Sequence, residues 1–593
     1  MKKKVLGIML LIAGLSLAAQ AATATWDGGS TSGGWTNTAN WVGDVVPVFD
    51  NTLDVYFNTA GAANLVSNWV VNNITIRSLN FTDDADANIN VRLNANGSIG
   101  ARSLTFGGAG GAAITSTAGA AGNFVIGAGN GTGVTLAEGL LLNHNGSGTL
   151  SIVRTVSGNF DVTNNGTGQV ILSAANTYAG TVINAGTLTL SGSNSFSGSV
   201  KLNAGKLNVN NAYALGVNNF EINGGTIDNT SAAAIINSNN NTVAINGDVA
   251  FTGTQNLNLG TGATTLGTAA GTSRTITASG ANDLTLGGVI ANGTTANQLI
   301  KDGVGTLILN GANTYSGGLV VKQGTVNIGN NSAAGTAAVT LGDAAGGNAS
   351  LVMGTFTMTN NINLAAGAAG TKTIGAGGAT RNSTFTGAIA LNGNNLTIKG
   401  WDSASARVTV SGGITGGGNL ALTNGSTGRI TLTGASINNT GSITVSGGAT
   451  SGTNLIDAVI GANVTTLTLD NQAKLIVSNA NAYAGGTTVS SGLLIGAAAG
   501  AFGTGGMTVA DGATLILQDA STLNDLVALV LGSTSALGLD FTGADTVGSI
   551  SLDGGATTLA AGTYDAAALT LLNGSGTYTG IGSLTVIPEP ATI

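Results

Sequence analysis

A unit of 18 or 19 residues recurs along the chain and constrains its fold more than any other feature. Similar stretches start at Gly168, Gly186 and Gly205, and the same pattern returns at Gly305 and Gly324. Consecutive starts lie 18 or 19 residues apart, which suits one coil of a β-helix and is too short for a propeller blade. One coil buries too little surface to fold alone, so the repeat predicts stacked coils with a shared core.

Apolar residues alternate within each unit, as they do in a β-strand. After the leading glycine, the predicted inward side chains are Leu188, Leu190, Leu207, Val209, Leu307, Leu309, Val326 and Ile328. Before the next glycine, they are Thr181, Ile183, Val200, Leu202, Leu319, Val321, Thr487 and Val489. In the strand before the next glycine, the residue between the two inward positions is predicted to face outward. Lys201 occupies this position in one unit.

A five-residue signature separates the two strands of a unit: Asn, any residue, an aromatic residue, any residue, Gly. It occupies residues 176–180, 194–198, 313–317 and 481–485. We expect the glycine to supply a positive φ at a corner and the asparagine to bond neighbouring backbone. The aromatic residue is expected to cover the core edge or to stack on its equivalent one coil away. Repetition at a corner favours a structural role over a ligand site.

The composition agrees with many short strands joined by tight turns. The 593 residues include 97 Gly and only 3 Pro, charged residues make up 7 %, and the mean hydropathy is +0.33. Disordered chains combine low hydrophobicity with high charge, so this chain is expected to fold. It has no cysteine, and the fold must depend on burial and backbone hydrogen bonds. No proline-rich linker divides it, which favours one elongated domain.

The N-terminus has the layout of a cleavable secretory signal over residues 1–21. Three lysines precede an apolar run that ends at Ala18, and small residues follow it. A membrane anchor is the alternative, but the run is shorter than the ~20 residues that a span needs. Cleavage would leave 15 basic and 26 acidic residues, a net charge of −11. Such a surface repels nucleic acid and anionic lipid.

The repeated unit resembles the autotransporter-associated β-strand repeat of exported bacterial proteins, most clearly over residues 168–211, 305–330 and 474–496. The resemblance implies a right-handed β-helix and life at the cell surface or outside the cell, and it implies no enzyme activity. We therefore predict an all-β chain that forms a single elongated right-handed parallel β-helix, or β-solenoid, with repeats over residues 76–585.

Residues 22–75 look like the leader that often precedes such repeats. They contain Trp26, Trp35, Trp41 and Trp69. We predict an N-terminal cap, because bulky aromatic residues can protect the open edge of a first coil. An exposed tryptophan platform for sugars is the alternative.

Residues 586–593 resemble the start of the PEP-CTERM sorting signal through Pro588-Glu589-Pro590. The resemblance implies transient anchoring in the inner membrane and processing by an exosortase-like sorting machinery, in a bacterium that makes exopolysaccharide. We expect the reading frame to continue into a membrane span and an arginine cluster.

Residues for acid–base chemistry are scarce. Glycosidases need two carboxylates that face one cleft, and the only glutamates are Glu138, Glu221 and Glu589. His144, the only histidine, lacks the partners of a triad or zinc site. We interpret it as a solvated turn residue.

Two further patterns imitate ligand sites. In the stretch that begins at Asp83, the residues Asp84, Asp86 and Asn88 have the spacing of the first ligands of a calcium loop. Ile89 stands where that loop needs Gly and Ala95 where it needs Glu, so a solvated loop is favoured. Alternate glycines over residues 127–133 imitate a phosphate loop without the lysine or the strand-to-helix context.

These observations predict an exported structural or adhesive β-solenoid of the cell surface or exopolysaccharide matrix. It is predicted to be a non-enzyme without catalytic residues, metal ligands or cofactors. Its expected partners are extracellular polysaccharide or cell-envelope components, bound through many weak contacts, and not nucleic acid. The alternative is a carbohydrate-binding or carbohydrate-active β-helix, similar to a polysaccharide lyase or glycosidase.

Overall fold

The computed structural model describes residues 22–58, 61–82, 87–93, 102–108, 110–267, 272–378, 381–400, 406–425, 427–447 and 452–587. Contacts divide the chain into two compact units, Met1–Gly198 and Ser199–Ile593. The predicted signal peptide and Pro588–Ile593 lie outside the described residues.

The first unit consists of three columns of parallel strands, and successive coils add one strand to a column. The first column contains Ala22–Trp26, Leu53–Phe57, Ser78–Phe81, Ala112–Ser116, Leu140–His144, Val162–Asn164 and Thr181–Ile183. The second contains Asn68–Trp69, Ile89–Arg92, Phe124–Ala128, Thr149–Ile152, Gln169–Leu172 and Thr187–Leu190. The third contains Ile74–Ile76, Ser103–Phe106, Gly133–Leu136 and Val156–Ser157. A 3₁₀ turn covers Thr38–Asn40.

The second unit has four such columns, A to D. Column A contains Val200–Leu202, Phe220–Ile222, Val243–Ile245, Thr264–Thr265 and Ile290–Ala291. Column B contains Lys206–Val209, Thr226–Asp228, Val249–Phe251, Ser273–Ala278, Gln298–Asp302, Leu319–Val321, Val339–Leu341, Ile362–Leu364, Ile389–Ala390, Ile414–Gly417 and Ile437–Thr440.

Column C contains Ile235–Ile236, Leu257–Asn258, Leu284–Leu286, Thr306–Leu309, Gly324–Ile328, Ala349–Met353, Lys372–Ala376, Leu396–Lys399, Leu420–Thr423, Ile443–Ser446, Leu467–Asp470, Thr487–Val489, Met507–Val509, Ala528–Leu531 and Ser549–Leu552. Column D contains Thr357–Met358, Asn382–Phe385, Arg407–Val410, Arg429–Leu432, Asn454–Ile456, Lys474–Val477, Leu493–Gly496, Thr514–Leu517, Ala536–Leu539 and Thr577–Gly580.

The last coils of the second unit depart from the parallel pattern. Thr557–Thr558 pairs antiparallel with the end of column C after a 3₁₀ turn at Asp553–Gly555. Ala544–Val547, Ser583–Val586 and Gly562–Asp565 form a three-stranded sheet whose last pair is antiparallel. A short α-helix, Ala566–Asn573, is capped by the side chain of Asp565.

The core of each unit is a set of aliphatic columns held in register. In the first unit Val170 lies beside Leu188, and in the second Leu307 lies beside Val326. Every predicted inward position is buried, including Thr181 and Thr487, whereas Lys201 is exposed. Full burial of one Leu or Val stabilises the folded state by about 1.5–3 kcal/mol. The prediction of an all-β fold of stacked parallel coils is confirmed, and each unit is a β-solenoid; the right-handed sense stays a prediction.

Candidate functional site

The signature asparagine joins neighbouring coils at a corner. Asn176 is 1 % exposed, and its Oδ1 accepts the Val156 N–H of the preceding coil at 2.9 Å. Its Nδ2 donates to the Ala174 carbonyl at 2.8 Å and to the Oδ1 of Asn194, the equivalent residue one coil on, at 3.0 Å. The expected bonding to backbone is confirmed, and it extends to the coils on both sides.

The same arrangement recurs in the second unit. The Asn313 Oδ1 accepts the Ile290 N–H at 2.7 Å, and its Nδ2 donates to the Ala333 carbonyl at 2.7 Å. The Asn481 Oδ1 accepts the Ile460 N–H at 2.6 Å. These amides satisfy backbone groups that the corner removes from the strand ladder, so their role is structural.

The signature aromatic residues are buried. Tyr178 and Phe196 stack with their ring centroids 5.0 Å apart, and Tyr315 and Tyr483 are fully buried. The Tyr178 hydroxyl lies 2.7 Å from the Thr181 Oγ1, a buried threonine in the following strand. The predicted stacking between adjacent coils is confirmed for the Tyr178 and Phe196 pair.

The expected reason for the signature glycine was wrong. Gly198, Gly317 and Gly485 do not have positive φ values. A Cβ at Gly198 would lie 2.7 Å from the Ala179 carbonyl oxygen, and one at Gly485 would overlap the Thr465 carbonyl. Close approach to the neighbouring coil therefore excludes a side chain. The positive φ falls at the leading glycine of the next unit, as at Gly186, with a φ of 57°.

His144 corrects a second prediction, because it is a buried strand residue and not a solvated turn residue. It ends the strand Leu140–His144 and is 0 % exposed. Its Nδ1 lies 2.7 Å from the Ser116 Oγ, and its Nε2 lies 2.9 Å from the Gly148 carbonyl oxygen. Burial lowers the pKa of His144, and the contact with Gly148 raises it by a smaller amount. The ring fills an inward position in the first column.

Two of the glycines at 127–133 accept hydrogen bonds from the side chain of Arg154, so this loop does not resemble a phosphate loop. The Arg154 Nε donates to the Gly127 carbonyl at 3.3 Å, and its Nη2 donates to the Gly129 carbonyl. A phosphate loop presents N–H groups to its ligand, whereas this loop presents carbonyl oxygens that are already occupied.

The calcium-like pattern falls mostly outside the described residues, which include Asn88 but not Asp83, Asp84 or Asp86. Within the described ranges, no three His, Cys, Asp or Glu side chains are placed to hold a metal ion.

The two described glutamates are each engaged with a neighbour. A Glu138 carboxylate oxygen accepts the Gly108 N–H at 3.0 Å. Glu221 lies 3.9 Å from the Lys201 ammonium, one coil away. Glu589 lies outside the described residues.

Buried aspartates are held by cations or by hydrogen-bond donors. Lys206 Nζ lies 2.9 Å from the Asp228 Oδ2, and the Thr254 hydroxyl donates to the same oxygen at 2.7 Å. Burial raises the pKa of Asp228, but hydrogen bonds from Thr252, Lys206 and Thr254 outweigh it and lower the pKa to about 2. In the first unit, Asp54 is paired with Arg77.

Asp545 is a buried acid that the sequence analysis did not single out. It is 1 % exposed, and its Oδ2 accepts the Leu523 N–H at 3.0 Å. Burial raises its pKa to about 7; two backbone N–H groups oppose the rise, and Asp525 and Asp519 add to it. These aspartates are separated by up to 26 residues in the sequence, so no local motif marks them.

The N-terminal tryptophans form a buried cluster. Trp26, Trp35 and Trp41 are at most 1 % exposed, and Trp41 packs edge-on against both of the others. Each indole N–H donates to a protein oxygen, those of Trp26 and Trp41 to the carbonyls of Ala63 and Trp35. The alternative of an exposed sugar platform is wrong for these three residues. The role of the cluster as a cap stays a prediction.

A groove of about 600 Å³ in the second unit crosses three coils, beginning at the signature of residues 313–317. Its exposed polar side chains are amides and hydroxyls, with no titratable group among the lining residues. They are Thr314, Asn331, Ser332, Thr336, Thr359 and Asn361. The groove can exchange hydrogen bonds with a polar partner, but its lining has no acid or base.

No helix in the described part of the chain has both the length and the apolar character to cross a bilayer. No curated protein and no solved structure matches the chain significantly. The passenger-associated transport repeat family matches residues 162–189, 185–209, 299–328 and 461–495. These matches contain the signature corners, and such repeats indicate an exported, surface-associated protein of the passenger type. The chain therefore carries the passenger-associated transport repeat at four sites, consistent with the autotransporter-associated β-strand repeat that its sequence resembles.

Proposed function

We propose that the chain is a non-catalytic structural or adhesive component of the bacterial cell surface or of an exopolysaccharide matrix. The groove at the signature corner is the observation that carries this proposal. It presents Thr314, Asn331 and Asn361 to solvent, and no carboxylate or cation lines it. Such a surface favours weak hydrogen bonding, and repetition along stacked coils lets many weak contacts sum.

The engagement of the acidic groups supports a role without catalysis. A general acid or base must lie within hydrogen-bond reach of its substrate. Asp545 has a pKa suited to that work, but its side chain is buried. Glu138 is bonded to backbone and Glu221 faces a lysine. These groups stabilise the coils in the proposed role.

In the proposed function, the two ends of the chain serve export, capping and sorting. Residues 1–21 would direct export, and the tryptophan cluster within residues 22–75 would cap the first coil. Residues 586–593 would engage an exosortase-like sorting machinery, which would place the chain at the envelope. The burial of three tryptophans supports the cap.

Surface location can be tested by treating intact cells of the producing bacterium with protease and following the chain by immunoblotting. We expect digestion in intact cells while a cytoplasmic control protein survives. Protection of the chain until the cells are lysed would contradict the proposal.

Absence of catalysis can be tested with purified residues 22–587 and a panel of neutral and acidic polysaccharides. We expect binding without a time-dependent increase in reducing ends or in unsaturated products. Turnover that is abolished by an Asp or Glu substitution would favour the carbohydrate-active alternative.

A further inference from the structure

One segment of this acidic chain has the opposite charge. Residues 344–456 contain five basic residues and a single acidic one, a net charge of +4, whereas the whole chain has a net charge of −8. Lys372 is buried, and its ammonium donates to backbone carbonyls, including that of Gly370 at 2.8 Å. The other four basic residues are Arg381, Lys399, Arg407 and Arg429.

The three arginines lie at the corner where three successive strands of column D begin. Arg407 and Arg429 are register partners on adjacent strands of column D. Arg381 directly precedes the strand on the other side of Arg407, and its carbonyl accepts the Arg407 N–H at 3.0 Å. Adjacent parallel strands lie about 4.8 Å apart, so the corner carries a cation on each of three successive coils.

The arginines of this corner have no ion-pair partner among the described residues, whose four ion pairs involve Arg77, Lys201, Lys206 and Lys322. Like charges directly opposite each other on neighbouring strands destabilise a sheet. An anion bound along the corner would remove that repulsion.

A small cavity opens beside the first arginine. It has a volume of about 220 Å³ and is lined by Phe356, Arg381 and the amides of Asn310 and Asn327. Its glycines leave room for these groups. A Cβ at Gly354 would lie 2.7 Å from the Arg381 Nη1 and 2.9 Å from the Phe356 Cε2.

These groups match the parts of an acidic sugar. A guanidinium binds a carboxylate through two parallel hydrogen bonds, and amides exchange hydrogen bonds with hydroxyls. The half-buried ring of Phe356 offers an apolar edge to a sugar ring. A polymer with a carboxylate on successive residues could continue from Arg381 to Arg407 and Arg429.

We propose that the cavity and the three arginines, together the cationic corner, form a binding site for an acidic polysaccharide that contains uronic acid residues. This proposal rests on the proposed matrix function and names the partner class. The net negative charge of the chain does not prevent binding, because salt at physiological strength screens exposed charges beyond about 8 Å.

The test measures binding of purified residues 22–587 to polygalacturonate, to the same polymer after methyl esterification, and to dextran. We expect binding of polygalacturonate alone, weakened by salt. Arg407→Gln and Arg429→Gln should each weaken it about tenfold, the loss expected for one charge-assisted hydrogen bond. Lys201→Gln is the matched control, because Lys201 is an exposed cation that already faces Glu221, and it should bind like the unmodified chain.

Gly354→Leu tests the cavity without changing the charge. Its Cβ would lie against the end of the flexible Arg381 side chain and the edge of the Phe356 ring. Both groups line the cavity, so we expect the affinity for polygalacturonate to fall about tenfold. Circular dichroism checks the fold of each variant. Equal binding by all variants, equal binding of the methyl ester, or equal binding of single-stranded DNA would overturn the proposal.

Cell fractionation of bacteria that produce the unmodified chain or the Arg407→Gln/Arg429→Gln variant distinguishes failure of this proposal from failure of the proposed function. If the unmodified chain stays in the envelope fraction and Arg407→Gln/Arg429→Gln is released, both proposals stand. If both chains stay, the cationic corner is not the matrix contact. If neither chain reaches the surface, the proposed function itself is wrong.

Discussion

The rings of Tyr178 and Phe196 lie one coil apart with an interplanar angle of 17° and their centroids 5.0 Å apart. The two residues hold the same place in consecutive copies of the signature, so a motif repeated in sequence becomes a stack in space. Phe196→Ala would remove a fully buried ring and leave a cavity beneath Tyr178. We expect a loss of about 3–5 kcal/mol in the free energy of unfolding, measured by urea denaturation. Thr163→Ala, at a half-buried outward position in the same unit, should change it by less than about 0.5 kcal/mol.

Replacing Asn313 should weaken the contact between neighbouring coils. Asn313→Ala would leave the Ile290 N–H and the Ala333 carbonyl buried without their partner. Each unsatisfied group costs about 1–3 kcal/mol. Hydrogen exchange should therefore quicken at the Ile290 amide. Unchanged protection there would show that the amide does not join the coils.

Asp545 predicts a dependence of stability on pH. Its pKa in the folded chain is about 7, above the value of about 3.9 in an unfolded chain. The fold therefore favours the protonated acid, and its stabilising contribution is complete below about pH 4 and declines as the pH rises to about 7. Asp545→Asn keeps an acceptor for the Leu523 N–H and removes the charge. We expect the variant to be more stable than the unmodified chain at pH 8, by about 1–3 kcal/mol, and equally stable at pH 4. Equal stability at both pH values would contradict the assignment.

A side chain at Gly485 should lower the free energy of unfolding because it would clash with the neighbouring coil. Gly485→Ala would place a methyl group against the Thr465 carbonyl, and the coils must separate locally to accept it. We expect a lower midpoint of urea denaturation, with a loss of about 1–3 kcal/mol. Gly512→Ala is an instructive comparison, because its Cβ would meet no atom within 4 Å but its φ is +74°. That variant should lose only the roughly 1–2 kcal/mol of a left-handed backbone.

The inward columns could be predicted from the sequence, because alternation with a period of two and a repeat of constant length together determine which side chains face the core. The signature asparagine and aromatic residue were predictable for the same reason. The prediction for the signature glycine was wrong. A glycine at a corner can be required by a positive φ or by close contact with the neighbouring coil, and only the positions of the stacked backbones distinguish the two reasons. His144 was misread because it has no equivalent in other units.

The cationic corner could not be found by spacing. Arg381, Arg407 and Arg429 are separated by 26 and 22 residues, and these coils match no regular unit. Only the strand register shows that Arg407 and Arg429 are neighbours. The three buried aspartate environments depend in the same way on contacts between coils.

Disulfide cross-linking tests the stacking of coils most directly, because the chain has no cysteine of its own. Thr444 and Thr468 are register partners at half-buried outward positions of column C. Their separation of about 4.8 Å lies within the range that a disulfide spans. We predict rapid cross-linking of Thr444→Cys/Thr468→Cys under mild oxidation and little of Ser446→Cys/Thr468→Cys, which is two residues out of register. Equal cross-linking of both pairs, or of neither, would contradict the in-register solenoid.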